Sequence, residues 1–152
     1  MTSLPRAKAS EILPDGGLAQ IPGVADAGKG LPILIQSDSV NMETAVARQG
    51  HFVCPCDLKI VGALLNVIEQ LGTGAGTIGA GTMADTNGLV ADYSVAISVT
   101  AGTIVDLTSD ASFTGAALYN TVIPKGTVIV FQSDGGATTT GEACLLLIAV
   151  PV

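Results

Sequence analysis

Asp57-Leu-Lys-Ile-Val-Gly-Ala-Leu-Leu-Asn-Val-Ile-Glu-Gln-Leu71 is the stretch on which the fold turns. Leu58, Val61, Leu64, Leu65, Ile68 and Leu71 fit the stripe of an amphipathic helix, and a strand buried on both faces fits them equally well. Periodicity alone does not separate the two. The surroundings favour a strand, because Pro55 precedes the stretch, Gly62 lies inside it, and every neighbouring segment has the texture of β-structure.

That texture begins at about residue 42. Thr44, Val46 and Arg48 alternate with Ala45 and Ala47, and His51-Phe-Val-Cys54 follows Gly50. Residues 89–99 read as one long strand, 102–107 as another and 116–122 as a third. Pro124-Lys-Gly126 is a turn that feeds 127–132, and after a glycine-containing loop Glu142 to Val150 makes the last strand. Strands repeating roughly every 10–15 residues between Gly, Asp and Ser turns predict an all-β sandwich or barrel over 42–152.

Residues 1–41 are built differently. Pro5, Pro14, Pro22 and Pro32 recur with glycines between them, and short apolar groups sit beside them: Leu4, Ile12-Leu13, Ile21, and Leu31 with Ile33. Each proline removes a backbone donor and biases the residue before it toward extended conformations. Such a segment does not pack into a unit by itself, yet it is too apolar for a solvated tail. It reads as an extended Pro/Gly-rich arm whose side chains dock on another surface, with an irregular loop over its own domain as the alternative.

Three stretches together suggest a family. Gln49 to Glu69 (QGHFVCPCDLKIVGALLNVIE), the Thr/Gly-rich middle, and the closing segments NTVIPKGTVIVFQSDGG and GEACLLLIAVPV resemble tailed-phage capsid decoration, or cement, proteins. The resemblance covers residues 43–152 by pattern and the arm by composition. It implies a jelly-roll-like β-sandwich that forms a homotrimer on the outer surface of a phage head and binds the major capsid protein. On that reading Leu4, Ile12, Leu13, Ile21, Leu31 and Ile33 are the arm residues that touch the capsid. Synthesis in the host cytoplasm and residence in the virion follow from it. A receptor- or glycan-binding head of a fibre or spike, or a minor capsid or tail component, is the alternative role.

Composition agrees with a structural part and argues against a catalyst. The 152 residues hold one histidine, His51, and no tryptophan, and 48% are apolar. Groups that titrate or attack near neutral pH are nearly missing. Of the net charge of −7, residues 1–50 hold −1 and the remainder −6. A body so acidic has nothing to neutralise phosphates, so no nucleic acid partner is expected. No membrane partner is expected either, since the longest apolar run, 143–152, is much too short to span a bilayer. No apolar h-region follows the two charges of the first eight residues, so no secretory signal is expected.

The remaining motifs reduce to structure. Gly74-Ala-Gly-Thr-Ile-Gly79 matches the dinucleotide fingerprint, but no helix follows to present its N-terminus to a pyrophosphate, so turn or edge-strand glycines are the expectation. Cys54, Cys56, Cys144 and His51 make four possible zinc ligands, but Cys54-Pro-Cys56 is too tight a pair for the usual zinc spacing, and free reduced thiols are expected. Asp106, Asp110 and Asp134 read as turn carboxylates, and Phe52 and Phe131 as core. Five scattered aromatics make no platform for bases or sugars. No cofactor is expected.

Overall fold

The computed structural model describes residues 31–46 and 51–152. Strands β1 (Ile33–Gln36), β2 (Val40–Asn41), β5 (Leu58–Glu69), β8 (Ile104–Asp106), β9 (Val122–Ile123) and β11 (Glu142–Pro151) form a six-stranded sheet. Strands β3 (Ala45–Val46), β4 (His51–Val53), β6 (Gly76–Thr82), β7 (Val90–Val95) and β10 (Val128–Asp134) form a five-stranded one. Every named pairing is antiparallel, and the two sheets share one hydrophobic core. The architecture is therefore the jelly-roll-like all-β sandwich that the sequence predicts.

The stretch 57–71 is a strand, β5. It pairs with β11 from Leu58 opposite Pro151 to Glu69 opposite Glu142, and the register skips Val61 and Ile68. Because side chains alternate along a strand, the extra residue at Val61 changes the phase of the inward set. Leu58 and Ile60 point inward before it, and Ala63, Leu65 and Val67 after it, all at 4% exposure or less. The residues that match a helical stripe are therefore split between the faces: Leu58, Leu65 and Leu71 are in the core, whereas Val61 and Ile68 are 42% and 43% exposed.

The core is filled from both sheets. Leu65, Leu145 and Leu147 meet Ile78, Ile129 and Phe131 in it, all essentially buried. Burying one such side chain is worth about 1.5–3 kcal/mol, the favourable term that offsets the entropy of ordering the strands. Phe131 is fully inside, whereas Phe52 is half-buried and packs against the cluster from β4.

Several elements differ from the sequence reading. The six-stranded sheet begins at Ile33, inside the stretch assigned to the arm, with Ile35 buried and Ser37 exchanging hydrogen bonds with Leu145. The long strand expected over 89–99 stops at Val95, because the Val99 N–H bonds back to the Ala96 carbonyl and Gly102 takes a positive φ in the turn that follows. Only Val122 of the strand expected over 116–122 is in a strand, and the chain before it coils tightly. Asp110 caps a short helix, α1 (Ala111–Thr114), by accepting from the Ser112 N–H at 2.8 Å. Phe113 is buried beneath it with Tyr119 edge-on at 5.3 Å, and Asn120 adopts φ 62°.

The glycines at 76 and 79 do not mark an edge or a turn. They lie in β6, between β10 and β7 in the middle of the five-stranded sheet. Glycine is needed there for close approach: a Cβ on Gly79 would sit 2.7 Å from Asp92 Oδ1, and one on Gly81 would strike the backbone of Asp85.

Candidate docking face

The inward residues of β11, Ala143, Leu145, Leu147 and Ala149, are fully buried. Alternation then turns Cys144, Leu146, Ile148 and Val150 to the opposite side, and these are apolar too. An unbroken apolar run of this kind suits a strand covered on both faces. Here only one face is covered by the partner sheet.

Register places the outward residues in rows across the sheet. Leu34 of β1 stands opposite Ile148, which stands opposite Gly62. In the next row Gln36, Leu146, Leu64 and Asp106 follow one another across β1, β11, β5 and β8. In the third, Cys144 faces Asn66, and Asn66 faces Ile104. Gln36, Leu64, Asn66, Ile104, Cys144 and Leu146 line an open groove of about 180 Å³ with Leu65 at its floor. Leu34 is 62% exposed and Ile104 67%, large values for aliphatic side chains on regular strands.

Charge is confined to the ends and rim of this face. Glu69 and Glu142 pair at one end, where Ser39 donates to Glu142 Oε2 at 2.7 Å. Lys59 lies at the other end, between Val150 and Val122, and Asp106 sits on the β8 edge. Nothing in the groove itself is ionic, and no aromatic ring lines it. Its chemistry is burial of apolar area with two amide side chains, Gln36 and Asn66, to fix orientation.

The five-stranded sheet is polar by contrast. Asp92 accepts from Asn87 Nδ2 at 2.8 Å and from Gln132 Nε2 at 3.1 Å. The negative charge of Asp92, helped by burial, pushes the nearby Asp134 carboxyl above the ordinary carboxylate range. Asp106 and Asp110 move the other way, because the backbone N–H of Thr108 and of Ser112 respectively bonds the ionised form.

Of the arm residues expected to touch a capsid, Leu4, Ile12, Leu13 and Ile21 lie outside the described residues. Leu31 is 56% exposed, and Ile33 is half-buried against the core at the start of β1. Cys54 is buried, which together with the neighbouring Cys56 raises its pKa, His51 is exposed, and all three cysteines are free. Among the described residues no three His, Cys, Asp or Glu side chains gather to hold a metal ion. The outer face itself was missed by sequence reasoning, although the uninterrupted apolar run at 143–150 and the Leu64-Leu65 pair carried its signal.

No protein-family model matches the chain, and no curated protein does. Solved structures do resemble it. A chain of the capsid of Ralstonia phage GP4 aligns with TM-score 0.50 and 20% identity over 82% of this chain and 86% of that one. A chain of the cyanophage Pam1 capsid asymmetric unit aligns with TM-score 0.48 and 11% identity over 80% and 84%. What the chain has in common with the GP4 protein at this identity is the fold.

Proposed function

We propose that this chain is a structural virion protein and not an enzyme: a capsid decoration protein that binds the outside of an assembled phage head as a homotrimer and stabilises it. The observation that carries the reading is an acidic sandwich, chemically quiet among its described residues, whose apolar side chains lie exposed where the chain enters the sheet. Leu31 is 56% exposed there, and it continues the proline-flanked apolar pattern of residues 1–30. The fold shared with a chain of the GP4 capsid supports it. A groove without an aromatic ring speaks against a sugar-binding head.

The mechanism is linkage. A protein that binds the assembled shell and not its dissociated subunits stabilises the shell by mass action. Three arms on one trimer convert weak contacts into strong attachment, because the second and third dock at high effective concentration. Prolines in the arm reduce the conformational entropy lost on docking. Major capsid protein is the partner, and Leu4, Ile12, Leu13, Ile21, Leu31 and Ile33 supply the contacts.

Truncation tests this. The cut belongs after residue 30, since removing β1 would also take Ile35 out of the core. The shortened protein is expected to melt as the full chain does and to fail to cosediment with undecorated heads. Normal decoration by the truncated protein would overturn the arm mechanism.

A further inference from the structure

We infer that the outer face of the six-stranded sheet, the groove between Gln36 and Ile104 with Leu34 and Ile148 in the row beside it, is where one copy of this chain docks on another. The inference deepens the proposed function, on whose homotrimer it rests, by assigning the surface through which the copies meet.

Charge selects the occupant. The chain carries −7, so copies repel each other through any surface that presents carboxylates. The five-stranded sheet and its loops present Asp85, Asp92 and Asp134, the last two already close enough for one to raise the other's pKa. The six-stranded sheet presents Leu34, Leu64, Ile104, Leu146 and Ile148 in adjacent rows, with carboxylates only at its end and on the β8 rim. It is the uncharged side of an acidic body, and therefore a side on which a like-charged copy approaches at low electrostatic cost.

Hydrogen bonding agrees with a second copy. The groove's polar groups are amides, Gln36 and Asn66, each both donor and acceptor. An amide can donate to and accept from polar groups of another copy without any complementary charge, whereas a face made for a basic or acidic partner would carry the opposite ion. Burying Leu34 and Ile104 supplies apolar area now in water.

Sedimentation equilibrium of the full chain, beside Ile104→Asp and Leu34→Asp, tests this. Both substituted side chains are more than half exposed, so the fold tolerates them. The unmodified chain is expected to sediment as a trimer, and each variant as a monomer with an unchanged circular dichroism spectrum and melt. Variants that remain trimeric would overturn the inference and leave the decoration reading intact, and it would equally fall if they stayed trimeric but lost heads, which would hand the face to the capsid. A monomeric unmodified chain would overturn both the interface and the trimer. A trimer that ignores heads would sink only the decoration reading. Should both variants misfold, hydrogen exchange on the unmodified chain decides: slower β1 and β8 amides at higher concentration support the interface, and unchanged rates overturn it.

Discussion

The carbonyl of Asp85 closes directly over the Cα of Gly81, and the space a Cβ would need at 81 is taken by backbone from Asp85 to Asn87. The contact is held by a reciprocal pair, Thr82 N–H to Asp85 carbonyl at 2.7 Å and Asp85 N–H to Thr82 carbonyl at 3.2 Å. The loop after β6 thus folds back onto its own strand. Gly81→Ala must push backbone away, which has no flexible end to yield. It is expected to cost at least about 1–3 kcal/mol, the range for overpacking a close-packed site. Urea denaturation checks it, and a midpoint equal to that of the unmodified chain would refute the packing described for this loop.

Gly81 also illustrates what the sequence withholds. The glycines from 74 to 81 read locally as turns or an edge, because glycine weakens a strand. Gly74 does lie in a bend, but Gly76, Gly79 and Gly81 lie inside the sheet, the last two where Asp92 and the loop at 83–88 come close, and those contacts are distant consequences of the fold. The long strands β5, β10 and β11 were legible, since each is rich in Val, Ile or Leu, which in β5 outweigh Gly62. Residues 116–122 misled for a related reason. Tyr119, Thr121 and Val122 suit strands, yet Asp110, Phe113 and Asn120 fix a capped turn and a left-handed residue that override propensity. The outer face was the least legible part. A run such as Leu145-Leu-Leu-Ile148 declares that both of its sides are apolar, but not that one of them lies uncovered.

That two-sidedness predicts opposite behaviour for adjacent leucines. Leu145 is fully buried and Leu146 is half-buried on the outer side. Leu145→Ala is expected to cost about 2–5 kcal/mol, from lost transfer energy and the cavity left behind. In monomeric protein, Leu146→Ala is expected to cost under about 1 kcal/mol, since the groove already admits water. Chemical denaturation of both variants measures the contrast. Equal losses would mean that the register of β11 is off by one residue.

The thiols should differ in reactivity for physical reasons visible in the structure. Cys54 is buried, and desolvation and Cys56 both raise its pKa, so little thiolate exists near neutral pH. Cys56 is half-exposed two residues later. A maleimide probe under native conditions is expected to label Cys56 first and Cys54 only on unfolding. Mass spectrometry of peptides after timed quenching reads the order, and faster labelling at Cys54 would contradict the packing at the end of β4.

Asp134 gives the fold an acid-side signature. Its pKa is raised in the folded state, chiefly by the charge of Asp92, so folding favours its protonated form. The stabilising contribution is complete below the unfolded pKa and disappears as pH rises through the folded value. At neutral pH the pair therefore weakens the sandwich, and Asp134→Asn should raise the melting temperature there. Below the ordinary carboxylate range the advantage should vanish, because both chains are then neutral at 134. Asp106 and Asp110 have lowered pKa values, so their contribution is present above the unfolded pKa and lost as pH falls through the folded one. Since both variants share that loss, the difference between their melting curves isolates position 134. A gain of the same size at acidic and neutral pH would show that the substitution acts by something other than repulsion from Asp92.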